Sequence, residues 1–219
     1  MRLSSSKSRD GMTLDHLSFQ NQDLSMNASG KWVNISGKQV TFFEGNFSSS
    51  NFGKSLKQLG YGDIIKRGKL NSKMIGQWSG SPDLFAFENF DGSIKLSLDD
   101  GEFLQVKKET KVIGQLLGLF SIASLQKRLS LDFSDFFSTG LSFDEMNGEF
   151  LFEESIANVN NLNLVGTFGE MNISGSSNIR EQTHDQKLTY IPDLSSMSLI
   201  SGTLLGGPIG AVASIFYDK

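Results

Sequence analysis

Alternation of apolar and polar residues along most of the chain is the feature that most restricts its fold. From about Met12 to Val106 the dominant period is two, most cleanly at Leu24–Ala28 and at Ile94–Asp99. Successive side chains of a β-strand point to opposite faces of a sheet, so this period predicts half-buried strands. The 18 Phe and 23 Gly, with only 3 Pro, suit long antiparallel strands joined by turns. We therefore expect a mainly β protein.

Short turn signals divide the alternating runs. Asp91-Gly92, Asp99-Asp100-Gly101 and Asn147-Gly148 are predicted hairpin turns, because Asx-Gly pairs readily adopt positive φ. One short helix is predicted at residues 52–59, with Asn51 as its N-cap and Gly60 at its end. Further strands are predicted at residues 129–133, 141–143, 149–153, 156–167, 169–180 and 187–191.

The period changes to that of a helix between Lys111 and Arg128. Apolar residues there follow i, i+3, i+4 spacing, and basic residues close the segment near its C-terminal end. Its apolar part is shorter than the ~20 residues that a membrane span needs. We expect a central amphipathic helix at residues 111–127 that caps, plugs or flanks the sheet.

A tail at residues 193–219 has a different character. It carries no charge between Asp193 and Asp218, but Gly206-Gly207-Pro208 interrupts it. Three interpretations stay open, namely a buried helix pair on the sheet, a hairpin or interfacial segment in a membrane, and a single membrane span. We expect an apolar helical segment, with these residues as its membrane contacts: Leu199, Leu204, Leu205, Ile209, Val212, Ile215 and Phe216.

Composition excludes several classes of function. The 219 residues carry a net charge of -4 without a basic block, which argues against nucleic acid as the main partner. There is no Cys and there are only two His, which removes thiolate metal sites, Cys nucleophiles and multi-histidine centres. Gly53-Lys54-Ser55 lacks the earlier Gly of a phosphate-binding loop, and no G-x-S-x-G elbow is present. We expect no enzyme activity, no cofactor and no metal.

What remains is a distributed apolar surface, and periodicity alone leaves two arrangements open. The strands could close into a packed sandwich or barrel, or they could form an open trough that buries acyl chains. Hydrocarbon burial is non-directional, at about 25 cal/mol per Å², so such a trough needs no specific polar site.

Three stretches resemble a known family. The most specific is the block Gln115-Leu116-Leu117-Gly118-Leu119-Phe120-Ser121, which continues through residues 125–129 to Asp132-Phe133-Ser134-Asp135-Phe136-Phe137 and residues 140–144. Leu59-Gly60-Tyr61 with the run to Trp78, and Leu84 to Val106, support it. Together they resemble the C-terminal region of the YhdP family, large AsmA-like envelope proteins of Gram-negative bacteria. The resemblance covers most of residues 29–191.

That resemblance implies a curved antiparallel sheet that forms an open, taco-like groove, and a role in moving phospholipid between the inner and outer membranes. It implies a periplasm-facing location, with inner-membrane anchoring through a segment absent from this chain, and it carries no catalytic residues. We expect a flexible start at residues 1–11, a groove domain at 12–192 and the apolar tail. Acyl chains would contact residues expected to line the groove, namely Leu24, Met26, Val33, Ile35, Phe43, Ile94, Leu96, Leu98, Phe150, Phe152, Leu162 and Leu164.

The leading function is therefore a non-enzymatic lipid-binding and phospholipid-transfer module that contacts a membrane through its tail. The alternative from a different class is a structural or assembly protein of the envelope, in which a closed β-sandwich docks on a protein partner through the tail. A secreted carbohydrate-binding solenoid is a third reading, and it would require exposed aromatic platforms.

Overall fold

One antiparallel sheet contains most of the described residues. The computed structural model describes residues 1–60, 62–104 and 140–193, together with the strand assignment of Ala213–Ile215. The strands are β1 Arg2–Ser8, β2 Gly11–Gln20, β3 Leu24–Ile35, β4 Lys38–Ser49, β5 Ile65–Ser79, β6 Phe90–Phe103, β7 Leu141–Glu153, β8 Ile156–Gly166, β9 Gly169–Asn178, β10 Thr183–Pro192 and β11 Ala213–Ile215. One α-helix, α1, covers Phe52–Gln58 within this part of the chain.

The strands lie in the sheet in the same order as in the sequence. Each pairs with the next one, and every pairing is antiparallel, so the described sheet is a continuous open meander from β1 to β11. The expectation of a mainly β, open sheet is confirmed. A closed two-sheet sandwich is contradicted, because all the described strands belong to a single sheet in linear order.

The cross-strand register collects apolar side chains on one face, which we call the apolar face. Leu70, Leu98, Met146, Leu164, Met171 and Tyr190 lie opposite one another in a single row across β5–β10. All six are buried. The opposite face, which we call the outer face, carries mainly Ser, Asn and charged residues. Directly opposed side chains are the units that stabilise a sheet, so this row joins six strands into one core.

Two bulges keep the apolar residues on this face. In β8 the register shifts between Val159 and Leu162, so both side chains reach the apolar face although they are three residues apart. In β2 a similar shift lies between Leu14 and Leu17. An extra residue in a bulge re-aims the side chains that follow it. The inserted pairs are polar, Asn160-Asn161 and Asp15-His16, and face outward or lie exposed.

Two segments outside the strands cover the ends of the apolar face. Helix α1 follows β4 and buries Leu56 against the core. It begins as predicted, because the Asn51 side chain accepts a hydrogen bond from the Lys54 N–H at 3.1 Å. At the other end of the strands, residues 80–89 between β5 and β6 form two 3-10 turns, Pro82–Leu84 and Phe87–Asn89.

The predicted Asx-Gly turns are wrong, because all three signals lie inside strands. Asp91-Gly92 and Asp99-Asp100-Gly101 are parts of β6, and Asn147-Gly148 is in the middle of β7. The glycines instead allow close packing. A Cβ on Gly148 would lie 2.7 Å from the Leu162 side chain, and one on Gly92 would lie 2.2 Å from the Ile75 carbonyl oxygen.

Two expectations about the ends of the chain differ from the structure. Residues 2–8, within the expected flexible start, form β1 and pair with β2 over their whole length. Ala213–Ile215, within the expected helical tail, form β11, and Ile215 lies opposite Leu188. The predicted helix at 111–127, the strand at 129–133 and the rest of the tail lie outside the described residues.

Replacing Leu162 by Ala should lower the free energy of unfolding by about 2–5 kcal/mol, because it removes a side chain that is 2% exposed and leaves a cavity. Chemical denaturation followed by circular dichroism measures this change. The matched control is Leu151→Ala on the outer face, where the side chain is 44% exposed. We expect that control to cost less than about 0.5 kcal/mol. Equal losses in the two variants would contradict the assignment of the faces.

Candidate functional site

The apolar face is not buried evenly, and the middle of β3–β6 is its open part. There the side chains are only partly covered, whereas apolar residues near the strand ends, such as Trp78, Phe90 and Leu98, are buried. We call this strip the trough. Its floor consists of Leu24, Met26, Phe43, Phe47, Met74, Ile94 and Leu96, all of them half-buried.

One wall of the trough is the segment at residues 80–89. Phe85 packs edge-on against Trp78 and Phe90, with ring centroids 5.2 and 5.8 Å apart, and Phe87 stacks on Phe152 at 5.7 Å. Hydrogen bonds hold this segment in place. The Trp78 Nε1–H donates to the Ser81 carbonyl oxygen at 3.0 Å. The wall is therefore aromatic on its inner side and fixed through its backbone.

Polar contacts to neighbouring strands strengthen the same wall. The Thr41 hydroxyl donates to the Gly80 carbonyl oxygen at 2.8 Å, and the Ser155 hydroxyl donates to the Glu88 carbonyl oxygen at 2.6 Å. Thr41 and Ser155 are both buried. Because buried carbonyl groups need partners, these bonds fix the segment over the sheet at both of its ends.

The opposite wall is helix α1 with the residues that follow it. The Ser49 and Ser55 hydroxyl groups are 2.9 Å apart and buried, which joins the helix to the end of β4. Outside, Lys54 forms an ion pair with Asp23 at 2.6 Å. Leu56 and Ile65 complete the apolar contact with the core.

At β7 the open strip ends. Phe150 lies directly opposite Ile94 but is buried, unlike its neighbour on the trough floor. Beyond it, the apolar residues of β8–β10 on this face are buried as well, including Val159, Ile173 and Leu188. The same face is thus half-open from β3 to β6 and filled from β7 to β10.

Within the described parts of β3–β6, no ionisable side chain faces the trough. The apolar-face positions from Leu24 to Asn34 in β3, Gln39 to Ser49 in β4, Leu70 to Trp78 in β5 and Phe90 to Leu98 in β6 carry aliphatic, aromatic, Gly, Ser, Thr, Asn and Gln residues only. The Ser72 hydroxyl on the floor already donates to the Lys95 carbonyl oxygen at 3.0 Å. A surface of this kind offers apolar area and little directional bonding, which suits a hydrocarbon chain.

Two ion pairs lie outside the trough. Lys73 and Glu44 form an ion pair at 2.9 Å on the outer face, and Lys69 and Asp100 form one at 2.8 Å near the strand ends. The hydrogen bond between the latter two raises the pKa of Lys69 and lowers the pKa of Asp100. Both groups are exposed, so this pair is screened by solvent and leaves the trough electrically neutral.

The structure separates the predicted lining residues into three groups. Leu24, Met26, Phe43, Ile94 and Leu96 lie half-buried on the trough floor. The buried group on the same face consists of Leu98, Phe150, Phe152, Leu162 and Leu164.

Val33 and Ile35 form the third group and lie on the outer face. The sequence prediction placed Val33 and Ile35 in the groove together with Leu24 and Met26, whereas β3 is one unbroken strand in register with β4. Its odd-numbered positions therefore face away from Leu24 and Met26. The placement of these two residues in the groove is a correction.

Sequence reasoning missed Phe47 and Met74 as floor residues. Phe47 is four residues after Phe43 in the same strand and therefore shares its face. Met74 shares its face of β5 with Ser72, Gly76 and Trp78. Its period-two pattern is weak, because Ser72 and Gly76 are not apolar enough to mark this face. Of the residues expected to contact a membrane, only Ile215 has a described backbone, in β11.

The described residues contain no helix that is long and apolar enough to cross a membrane. Within the same ranges, no group of three or more His, Asp or Glu side chains is placed to hold a metal ion. The features that stand out are instead the neutral trough and its two fixed walls.

Fold and site together define a class of protein, an open antiparallel β-meander whose apolar face is partly left uncovered. A family model described as "YhdP protein" matches residues 1–219. The chain therefore belongs to the YhdP family.

A curated relative is the intermembrane phospholipid transporter YhdP of Escherichia coli (strain K12). The two are 23% identical over 194 residues, which is 89% of this chain and 15% of that protein. The chain thus spans a small part of the length of the relative that it matches. No solved structure matches this chain.

In the filled half of the sheet, the shifted pKa of Tyr190 predicts that the stability of the fold depends on pH. Tyr190 is buried, its hydroxyl donates to the Phe168 carbonyl oxygen at 2.6 Å, and burial raises its pKa above the ordinary value. The neutral phenol therefore stabilises the fold below about pH 10, and this contribution is lost as the pH rises further. The free energy of unfolding, measured by denaturation below and above this pH, should fall less at alkaline pH in Tyr190→Phe than in the wild type. Identical alkaline slopes would contradict this assignment.

Proposed function

We propose that this chain is a lipid-binding section of a phospholipid-transfer protein, with acyl chains lying in the trough across β3–β6. The observation that carries the proposal is the neutral, half-open floor between two fixed walls. A chain that lies over Met26, Phe43, Met74 and Ile94 removes its own apolar area and theirs from water, at about 25 cal/mol per Å². The relative's role as an intermembrane phospholipid transporter supports this reading.

Lipid in this site would be held by its acyl chains rather than by its headgroup. The floor has no cation to bind a phosphate, so the headgroup stays hydrated at the open side. Affinity of this kind does not depend on headgroup chemistry. It is about the same at every position along the trough. Both properties suit a surface along which lipids move, because no single position holds them tightly.

The proposed role is non-catalytic and belongs to the envelope of a Gram-negative bacterium, facing the periplasm. In the whole protein this section would receive or release lipid between the inner and outer membranes. The filled half at β7–β10 would supply stability and end the lipid path.

The decisive test is Leu96→Asp against the matched control Ser97→Asp, which places the same charge on the outer face of the neighbouring position. Leu96→Asp should lower co-purifying phospholipid at least about tenfold, because a carboxylate in contact with hydrocarbon costs more than the ~1.4 kcal/mol that this factor represents. Native mass spectrometry and solvent extraction after gentle purification measure the lipid. A folded Leu96→Asp protein with wild-type lipid content would reject the trough, and so would a lipid-free wild type.

Membrane contact through the tail is a separate part of the proposal. Removing the residues after Pro192 should reduce flotation with phospholipid vesicles, because the tail is the longest uncharged stretch of the chain. Truncation also removes β11, so the full-length double variant Leu204→Asp, Leu205→Asp serves as a second test that leaves β11 in place. Undiminished flotation of both variants would argue against the tail as the contact.

A further inference from the structure

The outer face is hydrophilic over most of its area. A shallow depression of about 650 Å³ lies on it and draws its lining from β3 to β8. The outward side chains around it are mostly amides and hydroxyls, namely Ser25, Asn27, Asn46, Ser48, Asn71, Ser97, Asn147, Asn161 and Asn163. Exposed apolar side chains on this face are therefore exceptions that need a reason.

Five apolar residues form such an exception near the turn between β3 and β4, and we call them the outer patch: Val33, Ile35, Val40, Phe42 and Ile75. Val33 lies directly opposite Val40. Phe42 is the diagonal neighbour of Ile75, because Glu44 is opposite Ile75 and Gln77 is opposite Phe42. Side chains at such positions are within reach of each other, so the five residues are contiguous.

The outer patch is open to solvent at its largest side chains. Ile35 is 51% exposed, Phe42 37% and Ile75 42%, while Val33 and Val40 are half-buried. The patch ends at the tight turn Ser36-Gly37, where a Cβ on Gly37 would meet no atom within 4 Å. Ile35 is next to this turn, so the patch reaches the edge of the outer face.

Two cations flank the outer patch on the same face. Lys31 lies directly opposite Phe42, and Lys38 lies directly opposite Ile35. Neither lysine takes part in the ion pairs formed among the described residues. Two carboxylates lie next to the patch on this face. Glu44 is bound by Lys73 at 2.9 Å, and Asp91, diagonal to Ile75, accepts a hydrogen bond from the Glu154 N–H at 3.0 Å. The patch therefore combines exposed aliphatic and aromatic groups with two unneutralised positive charges.

We propose that the outer patch binds the surface of a phospholipid bilayer that contains anionic headgroups. Apolar side chains that enter the headgroup boundary, together with lysines that meet anionic lipids, are the two components of interfacial binding. The contact would hold the tip of the β3–β4 hairpin against the bilayer. It goes beyond the proposed function, because it requires no lipid in the trough.

The charges disfavour the other occupants of such a surface. In a two-fold contact between copies of this chain the same patch meets itself, which brings Lys31 and Lys38 of one copy near those of the other. An added β-strand is excluded at the patch as well, because β3 and β4 are paired on both sides. An anionic bilayer satisfies both the apolar area and the charge.

Vesicle flotation of the full-length chain tests the proposal with two double variants. Ile35→Ser with Phe42→Ser should lower the bound fraction, expressed as a partition coefficient, at least about tenfold on vesicles of equal parts phosphatidylcholine and phosphatidylglycerol. Lys31→Ser with Lys38→Ser should lower it about fivefold per lysine on the same vesicles, from about 1 kcal/mol per basic residue. On pure phosphatidylcholine vesicles the lysine variant should match the wild type.

The matched control is Leu151→Ser with Ile156→Ser, which removes two exposed apolar side chains from the outer face of β7 and β8. It should float like the wild type. Wild-type flotation of both patch variants, or an equal loss in the control, would overturn the proposal. So would a dimer on size-exclusion chromatography that Ile35→Ser with Phe42→Ser dissociates, since that result assigns the patch to a second copy.

Lipid content separates this proposal from the trough. Patch variants should keep the phospholipid that co-purifies with the wild type, because their substitutions lie on the other face of the sheet. Leu96→Asp should lose that lipid and still float. If the trough hypothesis is rejected, the flotation assay still tests the outer patch. If the patch hypothesis is rejected, the measured lipid content still tests the trough.

Discussion

Every other feature of the structure depends on an unbroken antiparallel register that holds the apolar side chains of β2–β10 on one face. The row from Leu70 to Tyr190 shows the result, with six buried side chains in line across six strands. A slip of one residue in any strand would move its apolar set to the solvent side. The bulge at Asn160-Asn161 illustrates how strictly this is kept, because it realigns β8 so that residues on both sides of it reach the same core.

That shared face is divided between two tasks. From β7 to β10 its apolar residues are buried and supply free energy that offsets the conformational entropy of a long sheet. From β3 to β6 the face is left partly uncovered between residues 80–89 and helix α1. Apolar surface that the protein does not bury itself is available to a ligand. Leaving this surface exposed in the empty state lowers the stability of the fold, and burial at β7–β10 offsets this loss. The same cross-strand alignment of apolar side chains thus serves stability in β7–β10 and ligand binding in β3–β6.

Much of the architecture is predictable because it rests on local rules. Period-two alternation locates the strands, and the Asn51 cap fixes the start of α1. The face of a residue was less predictable where apolar residues occupy both even and odd positions of one strand. For this reason Val33 and Ile35 were wrongly placed on the same face as Leu24 and Met26. The Asx-Gly signals failed for a tertiary reason, since Gly148 and Gly92 are required where Leu162 and the Ile75 backbone approach too closely for a Cβ. The walls of the trough were invisible to periodicity, because residues 80–89 are held by backbone hydrogen bonds and ring contacts rather than by a repeating pattern.

The linear strand order has a consequence for how proteins of this kind can change in length. Each strand adds about 4.8 Å across the sheet, and its contacts are with its two neighbours. Segments that connect consecutive strands fall at alternate ends, with residues 80–89 on one side and α1 on the other. Adding or losing a single strand would move every later connection to the opposite side, whereas a pair of strands leaves each on its own side. Insertions and deletions should therefore be tolerated in whole hairpins, so that the sheet grows or shrinks in steps of about 10 Å.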